Sequence, residues 1–157
     1  MDRHPSAAWL ALALLVAGCS GRGSGVPAQP MQAHPVATTS IGDAILQAST
    51  MDVADLNDTV AKRYTIDRSR QGMLLLVTVR DAAGNGIAPG DLRLDAAAGA
   101  LPDAPAPLEL HPITTADMTD YIGVFHASPP ATVQFRINAV RDGARAELST
   151  TAELYPR

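Results

Sequence analysis

His111, Met118 and His126 are side chains of metal-ligating type, and they lie close together in the chain. Two imidazoles and a thioether form a ligand set suited to copper. The two histidines fall on different predicted strands, with Met118 in the turn region between them, so convergence on one ion is one reading. The other is two solvated strand-end histidines, His111 preceding Pro112 and His126 closing the next strand. Asp117 and Asp120 flank the same turn. Paired carboxylates can serve acid–base catalysis, but turn and capping roles also account for them. Arg68-Ser69 follows Tyr64 and Ile66. A guanidinium there could hold an anion or a peptide terminus, making Tyr64, Arg68 and Ser69 candidate binding residues. It could equally donate to carbonyls at a helix-to-strand junction, which is the favoured account.

Other chemistry is missing from the sequence. The single cysteine, Cys19, cannot form an internal disulfide, and its position removes thiol catalysis, thiolate zinc and blue-copper ligation from the fold. No G-x-S-x-G elbow, Walker loop, H-E-x-x-H or C-x-x-C occurs. Gly84-Asn85-Gly86 looks like the start of a dinucleotide fingerprint, but Pro89 stands where the third glycine belongs, so a turn is expected. No cofactor is implied. The formal net charge is −4, and there is no basic block. That argues against nucleic acid or anionic lipid as an electrostatic partner.

The N-terminus explains the lone cysteine. Arg3 opposes Asp2 ahead of an apolar run, Ala7–Ala17, that is too short to span a bilayer, which needs ~20 residues. The run ends in Val16-Ala17-Gly18-Cys19, which resembles the lipobox of bacterial lipoproteins. The resemblance implies that residues 1–18 are a removed signal peptide and that Cys19 is acylated and held in the lipid bilayer. Ser20 in place of aspartate implies sorting to the outer membrane, with the domain in the periplasm. Residues 19–39 are rich in glycine and proline and lack an apolar period, so they read as a flexible tether. Its root-mean-square span would be about 25 Å. The folded domain is then expected over 40–157.

Strand patterns dominate that domain. Val133, Phe135, Ile137 and Ala139 alternate with polar residues, Asp142-Gly143 follows, and Ala146, Leu148, Thr150, Ala152 and Leu154 alternate in turn. This predicts a hairpin with a type I′ turn that sets Ile137 opposite Leu148 and Phe135 opposite Thr150. Upstream, Met73–Arg80 reads as a central strand. Asp91–Ala97, Leu108–Ile113, Asp120–His126 and Ile41–Met51 read as further strands. Leu56, Val60 and Tyr64 recur at helical spacing after Asp55 or Asn57 as cap. The sum is an all-β, immunoglobulin-like antiparallel β-sandwich of about seven strands with one short helix.

Several of these residues also carry a family resemblance. Leu56, the run Ala61-Lys62-Arg63-Tyr64-Thr65-Ile66-Asp67-Arg68-Ser69, the strand Leu74–Val79, Tyr121-Ile122 and Phe135-Arg136-Ile137 resemble the domain-of-unknown-function 4426 family of exported bacterial proteins. That family pattern usually has glycine after the tyrosine, where this chain has Thr65. The resemblance implies an all-β periplasmic domain and transfers neither an activity nor catalytic residues. The expected function is non-enzymatic: a membrane-tethered sandwich that binds or scaffolds an envelope protein partner. A periplasmic copper or small-ligand binding protein using His111, Met118 and His126 is the alternative, and a hydrolase of unfamiliar type comes third.

Overall fold

A computed structural model of the chain describes residues 36–116 and 118–157. The expected signal peptide, the lipobox residues Val16, Ala17 and Gly18, Cys19, most of the tether and Asp117 lie outside the described residues. Two antiparallel sheets form a sandwich. The five-stranded sheet has the order β1-β2-β3-β7-β6 and the four-stranded sheet β5-β4-β8-β9. Their ranges are β1 Val36–Ile41, β2 Ala44–Asp52, β3 Gly72–Arg80, β4 Arg93–Ala100, β5 Ala106–Leu108, β6 His111–Thr115, β7 Met118–His126, β8 Ala131–Arg141 and β9 Ala144–Leu154. β2-β3-β7-β6 and β4-β8-β9 take the places of the ABED and CFG sheets of an immunoglobulin domain, with β1 and β5 added at the edges. The fold is therefore the expected sandwich.

The last hairpin follows the alternation read from the sequence. Ile137 pairs with Leu148, Phe135 with Thr150, Val133 with Ala152 and Arg136 with Ser149. Asp142 and Gly143 both take positive φ, +49° and +76°, as a type I′ turn requires. Phe135, Ile137 and Leu148 are buried between the sheets against Leu46, Leu75 and Val77, while Arg136 and Glu147 are exposed.

Three expectations are corrected. The tether does not run to Thr39, because Val36–Thr39 already form β1. Ala37 reaches the core there, and that burial holds strand without a strong apolar period. Ile41–Met51 is not one strand: Gly42, at φ +59°, turns the chain between β1 and β2. Leu108–Ile113 is split, because the chain leaves the four-stranded sheet after Leu108 and enters the five-stranded one at His111. Nine strands thus replace about seven.

The continuous apolar run of β3 has a specific cause. Met73, Leu75, Val77 and Val79 face the sandwich core. Leu74 and Leu76 face the opposite way and meet a second cluster formed with Val53, Leu56, Ala61 and Ile122. A strand covered on both faces loses its alternation.

Candidate functional site

The cover over the outer face of the five-stranded sheet is built by local capping. Asp52 accepts from the Ala54 N–H at 2.9 Å and starts a 3₁₀ turn, Val53–Asp55. Asn57, one of the two expected caps, accepts from the Val60 N–H at 2.9 Å and starts the helix α1, Asp58–Arg63. Leu56, Val60 and Tyr64 then point to the sheet, as their spacing predicted. The helix ends at Tyr64, and Thr65 takes φ +56°. Ile66 N–H bonds back to the Ala61 carbonyl at 2.8 Å, so the tight turn is closed here without the glycine usual in the family pattern. A β-branched residue in that region costs about 1–2 kcal/mol.

Arg68 fixes this cover to itself. Its Nη2 donates to the Ala54 carbonyl at 2.8 Å, and its Nη1 pairs with the Asp58 carboxylate. The acceptor carbonyl lies in the 3₁₀ turn before the helix. Ser69 closes a local turn, its N–H and Oγ–H both donating to Asp67 Oδ1 at 2.9 and 2.6 Å. The Ser69 hydroxyl, followed by its backbone N–H, lowers the Asp67 pKa below its ordinary value.

The cover is incomplete, and two clefts open beneath it. An apolar cleft of about 430 Å³ is lined by Met51, Val60, Leu76 and Ile113 among others, with Asp55 and Asp120 on its rim. A more polar cleft of about 310 Å³ is lined by Asp67, Arg70, Glu109, His111, Val124 and His126 among others. Tyr64 and Ile122 line both clefts. The polar cleft exists because β6 begins only at His111, opposite Ile122, so β7 runs on past it to His126.

The expected metal triad is only partly assembled. His111 and His126 line the same cleft. His126 Nδ1 lies 3.1 Å from the Gln71 carbonyl, and His111 Nδ1 lies 3.8 Å from Glu109. Met118 begins β7 while His126 ends it, which at ~3.3 Å per residue separates them by roughly 26 Å. Its side chain lies over Gly86, where a Cβ would come within 2.0 Å of Met118 Sδ. Antiparallel pairing of β6 with β7 sends the start of β6 and the start of β7 to opposite ends, so Met118 cannot join the histidines. Among the described residues, no three His, Cys, Asp or Glu side chains group to hold a metal.

Asp120 does not face an acid–base partner. It makes a two-pronged ion pair with Arg80, at 2.7 and 3.2 Å, across the outer face. The sequence reading missed this pair, and it missed Arg141, whose nearly buried guanidinium pairs with Asp43 and donates to the Pro89 carbonyl at 3.2 Å.

The family match and one solved structure of the family agree with this architecture. Residues 38–157 match the family described as Domain of unknown function (DUF4426). A DUF4426 family protein from Pseudomonas aeruginosa PAO1 has a similar fold, with a TM-score of 0.60 at 20% identity over 78% of this chain and 96% of that one. FetP of uropathogenic E. coli strain F11 superposes with a TM-score of 0.49 at 9% identity, over 79% of this chain and 97% of that one. No curated protein matches the chain. With its family match running from Thr38 in β1 to Arg157, the chain belongs to the DUF4426 family.

Proposed function

We propose that the protein is a lipid-anchored periplasmic binding domain that engages another envelope component through the face covered by α1, without catalysis. The apolar cleft under α1 is the observation that carries this reading. Its volume, about 430 Å³, falls in the ~300–1,000 Å³ range of ligand sites. Its two rim carboxylates are already paired, Asp120 with Arg80 and Asp55 with Arg157. Recognition there rests on shape and apolar area, and Asp120 is withheld from acid–base work. Val16-Ala17-Gly18-Cys19 supports the anchor, and Ser20 supports the outer membrane as its destination.

A photo-crosslinking residue in place of Val60, introduced into the full chain in its native cells, tests the reading. A discrete crosslinked envelope species that weakens in a Tyr64→Ala background is expected, and crosslinking only to bulk lipid or to nothing would sink it. Cys19→Ser tests the anchor: the variant should leave the membrane fraction and lose the mass of the acyl chains. An unlipidated wild-type protein would end the anchor reading.

The shared cleft of His111 and His126 supports a second reading, a metal- or small-ligand-binding domain. Copper titration of wild type and His126→Ala separates the two, since only the second reading requires tight binding that the variant loses.

A further inference from the structure

Among the described residues, several strand edges are covered or interrupted. β1 packs beside β9, so those two edges face each other. β5 carries Pro107 and β6 carries Pro112, each lacking an N–H to offer. One stretch of edge opens into a cleft instead. β7 continues past the start of β6 over Gly123–His126, and among the described residues no strand pairs with that side of it.

The direction of its backbone groups follows from two independent observations. Pro112 sits inside β6, which requires its nitrogen to face away from β7. His111 and Ile113 then bond to β7, and their partners Ile122 and Asp120 present their N–H and C=O groups to β6. By alternation, Val124 and His126 present theirs to the same side, where β6 has ended. On the other side, a Cβ placed on Gly72 would lie 2.5 Å from the Phe125 carbonyl oxygen, so that oxygen points to β3 and its neighbours' oxygens point away. The groups of Val124 and His126 therefore open into the polar cleft.

The cleft also holds one arginine, Arg70, beside two carboxylates, Asp67 and Glu109. Arg70 lines it and continues into a shallower depression past Gln71, Ala127 and Ser128. Among the described residues Arg70 makes no close ion pair: Asp67 accepts two bonds from Ser69 and feels Arg70 only at longer range, and Glu109 lies 3.8 Å from His111 Nδ1. We propose that an extended peptide segment adds as a strand to β7 at Val124–His126, in line with β6, and sets an acidic side chain on Arg70. Backbone pairing supplies the attraction, and the floor of Ile122 and Val124 takes a small apolar side chain. The proposal rests on the binding reading above and names the chemistry of the partner: an exposed, acidic, β-prone stretch of another protein.

The test uses the purified full chain and two heptapeptide mixtures, randomised among small and apolar residues and differing only in a central glutamate or lysine. The glutamate mixture should bind about tenfold more tightly, and Arg70→Glu should reverse the preference. Saturating peptide should slow hydrogen exchange at the Val124 and His126 amides about tenfold or more, with Val77 unchanged. Peptides N-methylated at alternate positions should not bind, a control that leaves the protein untouched. Unchanged exchange at both amides, or an acidic preference that survives Arg70→Glu, overturns the proposal. Crosslinking from Val60 that persists in that event would spare the wider binding reading, whereas its loss as well would remove both.

Discussion

Arg68 Nη2 reaches back fourteen residues to the Ala54 carbonyl oxygen at 2.8 Å, while its Nη1 meets the Asp58 carboxylate. One planar side chain thus ties the 3₁₀ turn, the start of α1 and the lead-in to β3. With about a third of the side chain exposed, the ion pair is discounted and the carbonyl bond matters more. Arg68→Ala should cost about 1–2 kcal/mol and lower the melting temperature by several degrees. Arg68→Lys should recover only part of it, because an ammonium lacks the fork that serves two acceptors. Thermal denaturation of the three proteins checks this. An unchanged melting point with lost partner capture would instead make Tyr64, Arg68 and Ser69 a contact site.

Thr65 holds a backbone conformation that glycine adopts freely. Thr65→Gly should stabilise the domain by about 0.5–1 kcal/mol, the ~1–2 kcal/mol of relieved strain less the ~0.4–1 that glycine's looser unfolded chain costs. The denaturant midpoint should rise with an unchanged slope. A lower midpoint would mean that the threonine side chain contributes more than its backbone costs.

Phe135 is fully buried and its neighbour Arg136 is exposed on the other face of β8. Phe135→Ala should cost ~3–5 kcal/mol, a large share of the stability of a domain this size. Arg136→Ala should stay within about 0.5 kcal/mol. Urea unfolding of the pair checks the register, since comparable losses would contradict it.

Asp67 titrates below its ordinary 3.8, chiefly because the Ser69 hydroxyl donates to its carboxylate. A carboxylate lowered in the folded state stabilises fully above its unfolded pKa and loses that contribution as pH falls through the folded one. The turn at Asp67–Ser69 should therefore loosen only in acid below about 3.8, with neutral pH unaffected. In Ser69→Ala the carboxyl carbon of Asp67, followed by NMR, should titrate closer to its ordinary value. A midpoint that does not move would assign the shift to the backbone N–H alone.

The legible parts of the site were those set by near neighbours in sequence. Asn57 could be read as a cap because a cap acts on the N–H three residues ahead. The inward stripe of Leu56, Val60 and Tyr64 follows from helical spacing. The clefts were not legible, since they are what α1 leaves uncovered on a sheet assembled from strands far apart in the chain. Arg80 with Asp120, and Arg141 with Asp43, bridge forty and ninety-eight positions, and no local pattern joins such residues.

By itself the sequence determined the β8–β9 hairpin down to its register. Alternation marks the buried face, and Asp142-Gly143 accepts the positive φ that sets the turn. It also determined that β3 is central, through an apolar run that only a strand covered on both faces sustains. The tertiary structure alone decided that Leu108–Ile113 is divided between sheets. The chain crosses at Glu109-Leu110 beside Gly123, where an added Cβ would lie 3.0 Å from the Glu109 oxygen and 2.9 Å from Leu110. That crossing stops β6 at His111, opens the polar cleft, brings His111 and His126 to its walls and leaves Met118 at the far end of β7. Leu108 and Leu110 alternate in the same way whether the strand stays in one sheet or changes to the other. The choice depends on burial summed over distant residues, which a local period does not record.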